Sequence, residues 1–76
     1  MELNDNIIKR AFFFMAEERP VHISLKNFKF HNGIIIEVNT DFLIIIDEKH
    51  GQIPIYFNEV YDIEPREEKE DGKRNT

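Results

Sequence analysis

Val21-His22-Ile23-Ser24-Leu25-Lys26-Asn27 is the stretch on which the reading of this chain turns. Val21, Ile23 and Leu25 alternate with His22, Ser24 and Lys26, and a period of two marks a half-buried strand. Lys26-Asn27 opens a turn. Beyond it, Phe28, Phe30 and then Gly33 through Val38 make a second, longer strand, with Gly33 as the expected point of sharp bending because it has no side chain to resist close packing. Asn39-Thr40-Asp41 is a short turn, and Phe42 to Asp47 a third strand whose Ile44-Ile45-Ile46 run calls for apolar contacts on both faces. Glu48 to Gln52 is a loop turning at Gly51. Ile53 to Phe57 is a fourth strand, Asn58-Glu59 a tight turn, and Val60 to Ile63 a short fifth strand.

Upstream of Pro20 the period is different. Ile7, Ile8, Ala11, Phe12 and Met15 follow one helical face, with Phe13 and Phe14 widening it, and Asn4 or Asp5 supplies an N-cap acceptor. Pro20 ends the pattern, since the residue before proline avoids the α region. The spacing predicts a helix over Asp5–Glu18. From residue 66 to Thr76 there is no large apolar side chain, and a charged segment of that kind is expected to be disordered. One helix and five short strands joined by hairpin-length turns favour a small, strongly bent antiparallel barrel, because the chain is too short for two full sheets.

The chain has 76 residues, enough for one domain with a modest core. It has no Cys, which excludes disulfides and thiolate metal sites. The apolar runs Ala11–Ala16 and Ile34–Ile36 with Val38 fall far short of the ~18 residues of a membrane span. Glu2 and Asp5 replace the basic start of a secretory signal. The expectation is a cytoplasmic protein with no membrane partner. Fifteen acidic residues against ten basic ones leave a net charge of −5, which disfavours broad non-specific binding to nucleic acid while permitting a local basic patch.

The order of elements from about Asn6 to Pro65 resembles the Sm-like family, and within it the bacterial RNA chaperones called Hfq. The passage Glu18-Arg19-Pro20-Val21-His22-Ile23-Ser24-Leu25-Lys26-Asn27 resembles the Hfq passage from helix end through first strand to a Leu-x-Asn-Gly turn. Gly33-Ile34-Ile35 leads without a gap to Asn39, and Ile55 through Val60 with Ile63-Glu64-Pro65 matches the closing strand, turn and Ile-x-Pro exit. The resemblance implies an Sm-like barrel that binds RNA and assembles as a homo-oligomeric ring, hexamer or heptamer. The departures lie in the nucleotide pocket. The Sm uridine-reading positions fall on Leu43 and Tyr56-Phe57, the Tyr-Lys-His run of Hfq becomes Tyr56-Phe57-Asn58, and the turn glycine becomes Phe28.

Candidate RNA contacts are Phe42 and Tyr56 for base stacking, Asn39 and Asn58 for base edges, and Lys9, Arg10, Arg19 and Lys29 for phosphate. The bland alternatives are core packing for the aromatics (Phe57 included), local turn bonds for the asparagines and an ordinary solvated surface for the cations. Ile53, Ile55, Tyr56, Phe57, Val60, Tyr61 and Ile63 lie on strands that would be exposed edges in a monomer and so are the candidate oligomer interface. His22, His31 and His50 sit in separate segments without paired ligand spacing, so neither a metal site nor a cofactor is expected. The single Ser, Ser24, has no base nearby in sequence, and no nucleophile–base–orienter set occurs. Two functions remain: an Sm-like ring that binds RNA through its helix-side face or an altered pocket, or an SH3-like or PRC-like barrel that binds protein and not nucleic acid, for which the wide Phe12-Phe13-Phe14 stripe and the acidic balance speak.

Overall fold

The structure, a computed structural model, describes residues 2–66. The expected disordered tail lies outside them except for Arg66. Helix α1 spans Glu2–Ala16. It begins upstream of Asp5, since Glu2 and Leu3 are themselves good helix formers. It ends two residues before the expected Glu18 in a Schellman turn. The Arg19 amide donates to Phe14 O and the Glu18 amide to Met15 O, each at 3.0 Å, with Glu18 at the left-handed φ of 54° usually given to glycine. The buried face is narrower than expected. Ala11 and Phe14 are fully packed and Ile7, Ile8 and Met15 partly so, a 7–11–14–15 spacing that leaves Phe12 and Phe13 about half exposed.

Five strands follow: β1 (Val21–Leu25), β2 (Phe30–Val38), β3 (Phe42–Asp47), β4 (Gly51–Tyr56) and β5 (Val60–Pro65). A single 3-10 turn, Phe57–Glu59, joins β4 to β5. They form one antiparallel sheet in the order β4-β3-β2-β1-β5. β2 starts at Phe30 rather than Phe28, because Phe28 is taken up in the turn. The strands curl about α1, which packs mainly on β2 with further contacts to β5 and the 3-10 turn. The strongly bent antiparallel sheet is as expected, and no ladder joins β4 to β5 among the described residues, so both remain edges.

The inward face is apolar except at its end, where Asp47 follows Leu43 and Ile45 on the buried side of β3. Val21 and Ile23 of β1, Ile35 of β2, Leu43 and Ile45 of β3 and Ile63 of β5 are all but inaccessible to solvent. The outward face of β3 is less covered than its isoleucine run suggested, with Ile46 47 % exposed. The bend has two local causes. An irregularity between Ile35 and Glu37 inserts Ile36 as an extra residue against β3, and a second falls at Ser24/Leu25 against β5; bulges of this kind increase local twist. Gly33, paired with Asp47, passes the neighbouring strand so closely that an added Cβ would lie 2.8 Å from the Ile46 carbonyl carbon and 3.1 Å from Asp47 Cα. Because those atoms are backbone, they cannot swing away. Gly33→Ala should therefore destabilise the fold by more than about 2 kcal/mol, read as a fall in the urea midpoint, whereas Gly51→Ala meets open space and suffers only the strain of its positive φ.

Candidate nucleic-acid interface

The β1–β2 hairpin is tied by the Phe28 amide donating to Leu25 O (3.0 Å), the Leu25 amide donating to Lys29 O (2.8 Å), and the Lys29 amide donating to Asn27 Oδ1 (3.0 Å). This is a three-residue loop whose last residue is left-handed, a position where glycine is the usual choice. Here it is Phe28, at φ 70°, with its side chain 97 % exposed. A left-handed non-glycine residue costs about 1–2 kcal/mol, and a fully solvated ring returns nothing through packing.

Phe28 is not isolated. It lines a concavity of about 720 Å³ with Lys26, Lys29, Phe30, Tyr61 and the outward side of β1. Phe30 and Tyr61 are themselves 56 % and 73 % exposed. Phe30 leans on the His22 ring at a centroid separation of 5.1 Å, and His22 Nδ1 lies 2.7 Å from Asn32 Oδ1, which fixes that part of the floor. A second hollow of about 450 Å³ shares Lys26 and Tyr61 with the first and adds Arg10 and Asp62. Arg10 is already engaged there, donating to Asp62 Oδ1 at 3.0 Å and to Ile63 O.

The expected site residues divide. Phe42 and Tyr56 face each other across β3 and β4 with ring centroids 5.7 Å apart, and Tyr56 is half exposed. Asn39 is committed to its turn, its side-chain amide donating to Glu37 Oε2 at 2.7 Å while its backbone amide donates to Phe42 O. Asn58 is exposed on the 3-10 turn. Of the cations, Lys29 lies at the aromatic concavity and Arg10 at its neighbour, while Lys9 and Arg19 are exposed and line neither. Of the expected interface set, Ile55, Phe57, Val60 and Ile63 are buried in the core of this chain, so only backbone on those positions is free for a neighbour; Ile53, Tyr56 and Tyr61 retain accessible side chains. Phe28 and Phe30 were not singled out as contacts from the sequence. The available signal was an aromatic residue at the turn position that the Leu-x-Asn-Gly pattern reserves for glycine.

A second cluster forms on the other side of β2. The Asp47 carboxylate, 6 % exposed, accepts from the amides of Lys49 and His50 at 2.9 Å each, and its oxygens lie 3.1 Å from His31 Nδ1 and 3.0 Å from His50 Nδ1. Burial alone would raise the carboxyl pKa. The two amides and two imidazoles outweigh it and hold the group well below the usual carboxylate range.

A helix followed by a bent antiparallel sheet in this strand order has the Sm-like fold. Among solved structures, the chain is similar to the crystal structure of the pleiotropic translational regulator Hfq, with a TM-score of 0.67 and 20 % identity over 74 % of this chain and 92 % of that one. No protein-family model matches the sequence, and no curated protein does. Among the described residues, no helix is long and apolar enough to cross a membrane.

Asp47 gives the fold an acid-sensitive element. Its folded pKa is depressed, so its contribution to stability is complete above the unfolded value near 3.8 and fades as pH falls below it, when the unfolded chain takes up a proton that the folded chain resists. Asp47→Asn should lower the melting temperature at pH 7 and show a flatter loss of stability between pH 5 and about pH 2 than the parent chain, measured by circular dichroism.

Proposed function

We propose that this chain is an Sm-like RNA-binding subunit whose nucleotide site has moved to the Lys26–Phe30 hairpin, and that it acts by binding rather than catalysis. The observation that carries this reading is Phe28, a fully exposed ring held in a strained left-handed conformation between two lysines. Glycine would suit the turn better, so the ring is retained for something outside the fold. Exposed aromatic rings offer stacking platforms for unpaired bases at about 1–3 kcal/mol each, and Phe28, Phe30 and Tyr61 provide three such rings around one hollow. Lys26 and Lys29 are placed for the backbone phosphates, whereas Arg10, in the adjoining hollow, is paired with Asp62. The fold likeness to a translational regulator points the same way.

Assembly into a ring belongs to the same proposal. β4 and β5 are the two edges of the sheet, and joining β4 of one copy to β5 of the next satisfies both. Pro54, within β4, has no amide hydrogen to give a neighbouring strand, so the pairing would run through the residues on either side of it. The pairing would be largely backbone to backbone, with Ile53, Tyr56 and Tyr61 adding side-chain contact. A protein partner is the second reading, favoured by Phe12 and Phe13, which stand 49 % and 58 % exposed on α1.

Sedimentation velocity at micromolar concentration should give a species of several subunits, hexamer or heptamer by analogy; a monomer would remove the ring. Fluorescence anisotropy with short U-rich and A-rich single-stranded RNA, at two salt concentrations, tests the site. With a net charge of −5 and few cations at the hairpin, binding should weaken only gradually with salt. Phe28→Gly should raise the melting temperature yet weaken RNA binding by roughly five- to a hundredfold, the loss of one stacked base. A more stable variant with undiminished RNA affinity would sink the assignment. A chain that stays assembled and binds neither RNA would support the protein-partner reading.

A further inference from the structure

We propose that His31, Asp47 and His50 form a site for a divalent transition-metal cation of the zinc type. The sequence conceals it, because the residues are spread over β2, the end of β3 and the β3–β4 turn. Pairing of Gly33 with Asp47 places His31 two residues along β2 from the register point, and the hairpin after Asp47 folds His50 back onto the same carboxylate. The outcome is two imidazoles and one carboxylate whose ligating atoms all lie within 4.8 Å of one another.

The geometry is close to that of a bound ion. Ligand atoms ~2.0–2.1 Å from a tetrahedral zinc are ~3.3 Å from each other. His31 Nδ1 lies 3.1 Å from Asp47 Oδ1 and His50 Nδ1 lies 3.0 Å from Asp47 Oδ2, so each imidazole stands near ligand-to-ligand distance from one oxygen of the same carboxylate. The imidazole nitrogens lie within 4.8 Å of each other, and the His50 side chain, 64 % exposed, has room to turn toward a shared ion. The rings already stand edge to face with centroids 6.3 Å apart. Asp47 is held in advance: Oδ2 is fixed by two backbone amides, an outer support of the sort that orients metal-binding carboxylates.

Two imidazoles with one carboxylate suit zinc, cobalt, nickel or copper, whereas calcium and magnesium call for oxygen ligands throughout. A hollow of about 150 Å³, lined by Phe30, Asn32 and Lys49 among others, borders the three residues and has room for water as a fourth ligand. A purely structural role, with Asp47 tying the hairpin through the Lys49 and His50 amides, accounts for one carboxylate oxygen. Imidazole N–H groups donating to a buried carboxylate would complete such a role, and that role alone carries no saturable affinity for zinc. The site lies apart from the Phe28–Tyr61 concavity and does not depend on the RNA reading; only Phe30 lines both hollows.

Isothermal titration of the full chain with zinc chloride tests the proposal, with cobalt absorption as an independent readout of ligand geometry. One ion per chain should bind at micromolar affinity or better. His50→Gln should weaken it at least about tenfold while the metal-free melting temperature stays near that of the parent, since the His50 ring is largely solvated. His22→Gln, which alters the histidine outside the cluster, should leave binding unchanged. No saturable zinc binding at micromolar concentration would overturn the site, as would equal affinity in His50→Gln or a loss confined to His22→Gln.

Discussion

Gly33 passes β3 with no side chain between the two backbones, and most of what is distinctive in this molecule depends on that close approach. A Cβ there would collide with the Ile46 carbonyl group, so β2 and β3 come together at this point only because residue 33 is glycine. The approach and the extra residue at Ile36 together curl the sheet, and the curl allows five short strands and one helix to enclose a core centred on Ile23, Leu43, Ile45 and Ile63. The same register point sets Asp47 against β2 and so determines which side chains can reach its carboxylate.

Among the described residues, the two non-glycine positions with positive φ, Glu18 and Phe28, illustrate different uses of strain. Glu18 closes α1 with the hydrogen bonds of a helix stop, and its side chain simply points to solvent; the strain there serves the backbone. Phe28 closes a hairpin that glycine would close at lower cost, and it adds a large apolar ring where no core is available to receive it. Only the second case asks for an explanation outside folding. The lysines on either side and the neighbouring Phe30 and Tyr61 supply a chemical setting in which such a ring has a use.

Most of the architecture was legible in the residues. The change from helical spacing before Pro20 to alternation after it located the helix and strands, and Gly33 marked the bend. What the alternation could not convey was closure, because a sheet with two free edges and a closed barrel have the same inside–outside pattern along each strand. The helix face was misjudged by one residue in the Phe12-Phe13-Phe14 run, where three identical side chains give periodicity nothing to distinguish; Phe14, not Phe12, turns inward. The candidate sites were less legible still. Asn39 and Phe57 resemble recognition residues by type but are used by a turn and by the core. The cluster of His31, Asp47 and His50 has no linear spacing to betray it, since strand register rather than chain distance brings its members together.

The position of Arg66 has a practical side. Its backbone amide donates to Pro20 O at 2.9 Å, and its guanidinium pairs with Glu48, so the chain leaves β5 pinned between the helix exit and the β3–β4 hairpin. In a chain cut after Arg66, a fused segment would set out beside Glu48, two positions from His50. A polyhistidine purification handle attached there would deliver a surplus of imidazoles to the neighbourhood of Asp47, and chromatographic retention on nickel resin would then say little about the protein itself; a handle at the opposite terminus, or one free of histidine, keeps the two sources of affinity separate.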